Sequence, residues 1–138
     1  MNIAFDIHGT LDSDPDGKLF SIFSSIYNAK SIFTNVYIIS GPPIDQIKKE
    51  LISIKIPPTM VKIVSVVDYL KSKGMQMWKD PNGNWWCSEK DWWSSKGQIC
   101  KEYKIDIIFD DQIRYAKYMP STTEFILWRN NHILHIGG

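Results

Sequence analysis

The chain has 138 residues with a formal net charge of +1, and 43% of them are hydrophobic and 22% charged. This length suits a single domain, residues 1–138, and the balance of residue types excludes wholesale disorder. A net charge near zero argues against a nucleic-acid coat protein and against a polybasic membrane binder. The sequence has no apolar run near the ~18 residues of a membrane span and does not open on a basic-then-apolar segment, so we expect neither a membrane span nor a leader. Cys87 and Cys100 are too few for a disulfide scaffold, so we expect a reduced, cytoplasmic protein.

Apolar runs alternate with amphipathic segments in the first half of the chain, which is typical of a mainly parallel α/β sheet with crossover helices. Strands are predicted over residues 3–7, 36–39 and 61–67. Helices are predicted over residues 19–27, 44–52 and 68–73. The second of these helices follows Pro42-Pro43, and the third ends at Gly74.

A tryptophan-rich segment, residues 75–93, interrupts this pattern and is expected to be a small insertion in the domain. It contains Trp78, Trp85, Trp86, Trp92 and Trp93. Asn82-Gly83 between aromatic flanks predicts a β-hairpin. We expect these tryptophans to pack on the sheet or to form a homo-oligomer contact, because tryptophan is mostly buried. Alternatively, exposed tryptophans would stack on a nucleobase.

The α/β pattern resumes after the hairpin. Ser94 and Ser95 predict the start of a helix that reaches about Tyr103. Strands are then predicted over residues 105–109 and 123–128, with a short helix between them. Lys96 is therefore expected at the start of its helix, near the carboxyl edge of the sheet.

Polar residues stand where three of the predicted strands end: Asp6, then Ser40, then the pair Asp110 and Asp111. Ligands bind at the carboxyl edge of an open parallel sheet, so we expect these side chains and Lys96 to meet there. Carboxylates at close quarters repel one another, and a divalent cation relieves that repulsion. Oxygen ligands of this hardness favour Mg²⁺, so the sequence predicts a magnesium site.

Four short motifs coincide with these polar residues. The first is Asp6-Ile7-His8-Gly9-Thr10-Leu11-Asp12, and the second is Ile38-Ile39-Ser40. Lys96 is the third, and the fourth is Ile107-Ile108-Phe109-Asp110-Asp111. In this order they resemble the four motifs of the haloacid dehalogenase (HAD) superfamily, the first of which is DxDGT(L/V) and the last hhhDD. The resemblance implies a three-layer α/β sandwich with a HAD-like Rossmannoid fold, capless or minimally capped, with residues 75–93 as the specificity element.

The resemblance also implies an activity and a role for each matching residue. The activity is Mg²⁺-dependent hydrolysis of a phosphomonoester on a small phosphorylated metabolite or nucleotide. Asp6 would be the nucleophile that forms an aspartyl-phosphate, and Lys96 would neutralise Asp6 and the transferring group. The ligands of Mg²⁺ would be Asp6, the backbone carbonyl of His8, Asp110 and Asp111. The phosphoryl group would be held by Ser40, Lys96, Gly9, Thr10 and the backbone N–H groups of the helix start at Gly41 to Ile44.

His8 departs from the family's pattern, which normally carries Asp at that position as acid for the leaving group and base for the hydrolytic water. Histidine can do both jobs near neutral pH, but beside Mg²⁺ and Lys96 we expect it to be a poor acid. One alternative is that His8 contributes only its carbonyl. Another is a catalytically weak protein that binds and sequesters a phosphorylated, nucleotide-like ligand.

Overall fold

The computed structural model describes residues 1–29, 34–129 and 132–136. Its strands are β1 (Asn2–Phe5), β2 (Asn35–Ser40), β3 (Lys62–Ser65), β4 (Trp78–Lys79), β5 (Trp85–Trp86), β6 (Ile107–Asp110), β7 (Glu124–Arg129) and β8 (His132–Ile136). Its α-helices are α1 (Lys18–Ala29), α2 (Ile44–Ser53), α3 (Val66–Ser72) and α4 (Glu89–Glu102). Shorter helical turns cover Ile7–Leu11, Pro58–Met60 and Ile113–Tyr118.

Six of the strands form one sheet in the order β3-β2-β1-β6-β7-β8. All neighbouring pairs are parallel except β7 and β8, which are antiparallel. Phe5 of β1 pairs with Ile38 of β2 on one side and with Phe109 of β6 on the other. The carboxyl ends of these three strands therefore lie side by side. The predicted mixed α/β fold with a mainly parallel sheet is confirmed.

Side chains alternate between the two faces of the sheet and build a core on each. Phe5, Ile38 and Phe109 face α1 and α2, and the rings of Phe5 and Phe109 stack with centroids 4.8 Å apart. Ala4 and Ile108 point to the other face, where α3 and α4 pack. The helices thus form a layer on each side of the sheet. Within the described residues, none of the helices combines the length and the apolar character that crossing a membrane requires.

Several element boundaries differ from the predicted ones. The first strand ends at Phe5 and not at Ile7, because Ile7 begins the helical turn that follows. A serine cap explains two further differences. The third strand ends at Ser65, because the Ser65 hydroxyl accepts a hydrogen bond from the Asp68 N–H (3.1 Å) and starts α3 there. The last α-helix, α4, starts at Glu89 and not near Ser94, because Ser88 accepts from the Asp91 N–H (3.3 Å).

The predicted Asn-Gly hairpin is confirmed, but it is shorter than the expected insertion. Trp78 pairs with Trp86 in an antiparallel ribbon formed by β4 and β5. Five residues connect the two strands, and the Gly83 N–H donates to the Asp80 carbonyl (3.0 Å). Gly83 has a φ of +81° and Asn82 does not have a positive φ, so the loop is a longer turn that ends in a left-handed glycine and not a two-residue Asn-Gly turn. Since α4 begins at Glu89, Trp92 and Trp93 belong to that helix and not to the insertion.

A glycine allows α4 to approach the helical turn Ile113–Tyr118 closely. A Cβ added at Gly97 would lie 2.2 Å from the backbone oxygen of Tyr118. Replacing Gly by Ala in an open helix gains about 0.8–1.0 kcal/mol. Overpacking costs about 1–3 kcal/mol, and the upper part of that range applies here because a backbone atom cannot rotate away.

We therefore expect Gly97→Ala to lower the free energy of unfolding by about 1–2 kcal/mol, measured by urea denaturation. Gln98→Ala is the control: Gln98 is an exposed neighbour on the same helix, and its replacement should change stability by less than about 0.5 kcal/mol. A Gly97→Ala protein as stable as the wild type would contradict this close packing.

Candidate active site

Polar residues from three adjacent strands meet at the carboxyl edge of the sheet, as predicted. Ser40 is the last residue of β2, Asp6 follows β1, and Asp110 ends β6, with Asp111 next in the chain. The Asp6 N–H donates to the Phe109 carbonyl (2.9 Å), which extends the pairing of β1 with β6 up to the carboxylates. The sheet therefore fixes the backbone of all four residues.

Asp6, Asp110 and Asp111 form a carboxylate cluster. One oxygen from each of the three side chains lies within 4.8 Å of the other two. Asp6 is 5% exposed and Asp110 is fully buried, whereas Asp111 is half-buried. Such burial is unusual for acidic residues unless they are paired or hold a metal.

Lys96 supplies the positive charge of this cluster. Its Nζ lies 2.5 Å from Asp110 Oδ2 and 3.1 Å from Asp6 Oδ1, and its side chain is 2% exposed. The same Nζ stands 4.5 Å from the centroid of the Tyr115 ring. Lys96 lies in the middle of α4 and not at its start, so the predicted position in the helix is wrong, although the side chain reaches the expected edge.

One ammonium group does not balance three carboxylates in a buried place. Burial raises the pKa of Asp6 despite the nearby Lys96, and burial together with the charge of Asp6 raises the pKa of Asp110 to about 6. Burial and the charge of Asp110 raise the pKa of Asp111. For Lys96, burial alone would lower the pKa, but Asp110 and Asp6 hold it well above its usual value. Deprotonated carboxylates at this edge are therefore short of positive charge.

A divalent cation suits this deficit. The three carboxylates offer only oxygen ligands, which hard cations such as Mg²⁺ and Ca²⁺ prefer. A cation there would supply the charge that Lys96 alone does not. The residues therefore fit a metal site, and the donor type alone does not select one hard cation over another.

The turn after β1 supports the carboxylates. Gly9 has a φ of +73°, and a Cβ added there would lie 2.1 Å from Asp111 Oδ2, so a larger residue would be strained and would displace the Asp111 carboxylate. The buried Thr10 hydroxyl lies 3.4 Å from Asp6 Oδ2 and 3.5 Å from Asp111 Oδ1. Thr10 and Gly9, which were predicted to bind the phosphoryl group, thus contact the carboxylates, and their observable role is to position them.

Ser40 carries an unsatisfied polar atom. Its Oγ is buried and has no hydrogen-bond partner among the described residues. A buried hydroxyl without a partner costs about 1–3 kcal/mol, which a bound ligand would recover. Ser40 lines a cleft of about 390 Å³ with Asp6, Lys96 and Asp111, which we call the edge cleft.

The helix start after Ser40 offers fewer donors than predicted. Pro42 and Pro43 have no N–H group. The N–H of Ile44 donates to Asp68 Oδ2 at 3.1 Å. Of the four residues expected to bind an anion through the backbone, only Gly41 therefore retains an N–H for that purpose.

The His8 side chain has a different environment from the expected one. Its Nε2 lies 2.8 Å from Glu50 Oε2, its Nδ1 lies 3.9 Å from Asp12 Oδ2, and the side chain is 58% exposed. Gln46 donates to the other oxygen of Glu50 (2.9 Å). The nearest charged groups to the ring are thus carboxylates and not Lys96, although His8 also lines the edge cleft.

Sequence reasoning missed Gln46 and Glu50. Both lie on α2, four residues apart, on a stripe about 100° around the helix from the buried Ile47 and Leu51. That spacing on a polar helix face was visible in the sequence. Nothing in it, however, indicated that this face would meet the turn after β1.

The tryptophans divide between the two predicted environments. Trp92 and Trp93 are partly buried and pack against the core on the α4 side, as the packing interpretation predicted. Trp78 and Trp86 of the hairpin are 53% and 39% exposed. Trp86 and Trp92 both line the edge cleft. A contact between two copies of the chain remains a prediction.

Lys96→Met would remove the only buried ammonium of the cluster while keeping a long apolar side chain. Breaking a buried ion pair by deleting one partner costs about 3–5 kcal/mol, because the other charge is left uncompensated. We expect a loss of that size in the free energy of unfolding, measured by urea denaturation with EDTA present. Lys90→Met, which changes an exposed lysine of the same helix, should be nearly neutral. Equal stability of the two variants would show that Asp6 and Asp110 do not depend on Lys96.

Comparison of the chain with protein-family models, with curated proteins and with solved structures found no match in any of the three. The geometry of the carboxyl edge, together with the motifs in the sequence, is therefore the basis for proposing a function.

Proposed function

We propose that the protein hydrolyses a phosphomonoester on a small phosphorylated molecule, with Asp6 as nucleophile and Mg²⁺ as cofactor. The observation that carries the proposal is the composition of the edge cleft. A buried carboxylate, a buried ammonium and an unpartnered hydroxyl (Asp6, Lys96 and Ser40) line it together. A phosphoryl group needs a nucleophile, a positive charge and a hydrogen-bond donor, and these three side chains provide them.

We also propose that the chain is a HAD-like phosphatase with a minimal cap. The support is that its four motifs stand on neighbouring strand ends of a mainly parallel sheet and on the helix preceding β6. The hairpin of β4 and β5 is then the counterpart of a cap. Cys87 and Cys100 are free and buried, which suits a cytoplasmic location.

The reaction proceeds in two displacements at phosphorus. In the first, an oxygen of Asp6 forms a bond to phosphorus while the bond to the leaving oxygen breaks, and that oxygen takes up one proton. In the second, a water oxygen attacks the aspartyl-phosphate, the bond between phosphorus and Asp6 breaks, and one proton leaves the water. Inorganic phosphate and the free carboxylate of Asp6 result, so the enzyme returns to its starting state.

Lys96 and Ser40 act on the phosphoryl group during both displacements. The Lys96 ammonium, 3.1 Å from Asp6 Oδ1, offsets the negative charge of nucleophile and phosphate, which would otherwise repel. The Ser40 hydroxyl donates to a phosphoryl oxygen and so gains the partner it lacks.

Asp6, Asp110 and Asp111 would hold Mg²⁺, which when bound polarises a phosphoryl oxygen and screens the repulsion between carboxylates and substrate. Thr10 and Gly9 keep Asp6 and Asp111 in place for this. Lys96 contacts one oxygen each of Asp6 and Asp110. The other oxygen of Asp6 lies 3.4 Å from the Thr10 hydroxyl, and that of Asp110 accepts from the Gln112 N–H (3.0 Å), so a cation would share these oxygens with one hydrogen bond each.

His8 is the candidate acid and base. Glu50 holds its Nε2 at 2.8 Å, and Gln46 in turn holds Glu50, which fixes the orientation of the ring. Nδ1 lies 3.9 Å from Asp12, beyond hydrogen-bond distance, so this nitrogen is available to exchange a proton with the leaving group or the water. Glu50 is a positioning residue in this scheme.

The contact between His8 and Glu50 also favours a second candidate function. Glu50 holds the His8 ring where it is 58% exposed, and a ring that does not turn toward phosphorus transfers no proton. The protein would then bind and sequester a phosphorylated molecule without rapid turnover. The two candidates share the phosphate-binding residues and differ only in what His8 does.

Asp6→Asn should abolish phosphate release while the protein stays folded, because the substitution removes the attacking charge and keeps the size of the side chain. The measurement is phosphate release from a panel of nucleotides and sugar phosphates with Mg²⁺ or EDTA, beside circular dichroism. Wild-type protein should also bind beryllofluoride with Mg²⁺, as a mimic of the aspartyl-phosphate. Substantial turnover by folded Asp6→Asn protein would refute Asp6 as nucleophile.

Single-turnover rates of His8 variants separate the two candidate functions. For an enzyme that uses the imidazole, His8→Ala should lower the rate by roughly 10²-fold or more. Glu50→Gln should lower it less, because it loosens the ring without removing it. For a sequestering protein, wild-type turnover is negligible, and His8→Asp, which restores the family's motif, should raise it sharply. Equal rates in wild type, His8→Ala and His8→Asp would leave His8 with no chemical role.

A further inference from the structure

We propose that the substrate is a nucleoside monophosphate whose base occupies an aromatic cavity beside the edge cleft; this inference rests on the proposed phosphohydrolase function. The cavity has a volume of about 200 Å³. Its walls are the start of α2, the hairpin of β4 and β5, and Trp92 of α4. We call it the aromatic cavity.

The aromatic cavity adjoins the edge cleft. Both are lined by His8, Gly41, Pro42, Trp86 and Trp92. The volume of the aromatic cavity is about 200 Å³ and that of the edge cleft is about 390 Å³. Their combined volume lies within the ~300–1,000 Å³ that is usual for small-molecule sites. A molecule with its phosphoryl group beside Asp6 therefore has its remaining part directed into the aromatic cavity.

The chemistry of the lining selects a planar, uncharged group. The described residues that line the aromatic cavity include Trp85, Trp86 and Trp92 but no Asp, Glu, Lys or Arg, and His8 is their one titratable member. A second phosphate or a charged sugar acid would find no cation there. Gln46 and Asn84 add amide groups, which hydrogen-bond to the edges of a heterocycle. Aromatic faces with amides at the margin fit a nucleobase better than a bare sugar.

The hairpin holds its tryptophans in fixed orientations. The Trp86 indole N–H donates to Asp80 Oδ2 (2.8 Å), and its ring centroid lies 5.5 Å from that of Trp92. Trp85 is covered by Lys71 of α3, whose Nζ lies 3.6 Å from the ring centroid. The hairpin is thus anchored on α3 through Trp85 and on α4 through Trp86. A stacking surface fixed in this way loses little freedom when a base binds.

Trp92 connects the aromatic cavity to the chemistry of the edge cleft. The edge of its ring lies 3.4 Å from the position of a Cβ added to Gly41, the residue after Ser40. Trp92 also stands one helical turn before Lys96 on α4. A base that stacks on Trp92 is therefore held by the same helix that carries the phosphate-binding lysine.

The test compares ligands that differ only in the base. In the Asp6→Asn protein with Mg²⁺, calorimetry measures binding of the four ribonucleoside 5′-monophosphates, ribose 5-phosphate and inorganic phosphate. Stacking of one base contributes about 1–3 kcal/mol, so at least one nucleotide should bind about 5- to 150-fold more tightly than ribose 5-phosphate.

Two hairpin variants, each made in the Asp6→Asn protein, test whether the aromatic cavity is where the base binds. Trp86→Leu and Trp78→Leu both replace an exposed tryptophan by an aliphatic residue, but only Trp86 lines the aromatic cavity. We expect Trp86→Leu to reduce the preference for the nucleotide over ribose 5-phosphate about 5-fold or more. Trp78→Leu should leave that preference unchanged.

The outcomes distinguish the inference from the proposed function. If inorganic phosphate binds but no nucleotide binds better than ribose 5-phosphate, the nucleotide inference is refuted and the phosphohydrolase proposal stands. If no phosphate compound binds to the Asp6→Asn protein and the wild-type protein with Mg²⁺ does not bind inorganic phosphate either, both are refuted. If Trp86→Leu alters the sedimentation mass and not nucleotide affinity, the exposed tryptophans form a contact between copies of the chain, and the inference is refuted.

Discussion

The pairing of a buried lysine with two buried carboxylates is the constraint on which the rest of the candidate site depends. Removing an ammonium group from water costs several kcal/mol, and only well-placed opposite charges recover that cost. Lys96 meets Asp110 at 2.5 Å and Asp6 at 3.1 Å, with the Tyr115 ring beside it. The two carboxylates come from adjacent parallel strands and the lysine from the helix that precedes one of them. The strand order, the start of α4 and the close approach at Gly97 must therefore all be in place for the ion pairs to form.

The positions of the strands could be predicted because the buried parallel strands are continuous apolar runs in the sequence, and each of three runs ends in a polar residue. The boundaries were less predictable where two serines compete as helix caps. Ser94 and Ser95 suited a helix start in the sequence, yet Ser88 caps the helix, with Asp91 three residues later. The aromatic residues between the two candidate caps favoured the hairpin interpretation. Their contacts with the core, which no local pattern reveals, assign Trp92 and Trp93 to α4.

The residues of the candidate site could be predicted from strand ends and motifs, but the directions of their side chains could not. His8 was expected beside Lys96, whereas its ring faces Glu50, because the turn after β1 directs it toward α2. Thr10 was expected to face a phosphate, whereas its hydroxyl lies against Asp6 and Asp111. Between these two residues the backbone of Gly9 has a φ of +73°, a left-handed conformation that the strand pattern of the sequence does not indicate.

The division of the site into two parts has a physical consequence for selectivity. In the proposed reaction, Asp6, Ser40 and Lys96 would contact the phosphoryl group that every phosphomonoester shares, so they would bind substrates without distinguishing among them. Discrimination would then depend on contacts with the leaving group, for which the aromatic cavity offers Trp86 and Trp92. Binding energy from such a non-reacting part of the substrate can be used to hold phosphorus in line with Asp6, since remote contacts reduce the freedom that the reacting groups must lose. For the proposed substrate, a short hairpin anchored on two helices would be sufficient, because stacking needs one oriented ring face and not an enclosing domain.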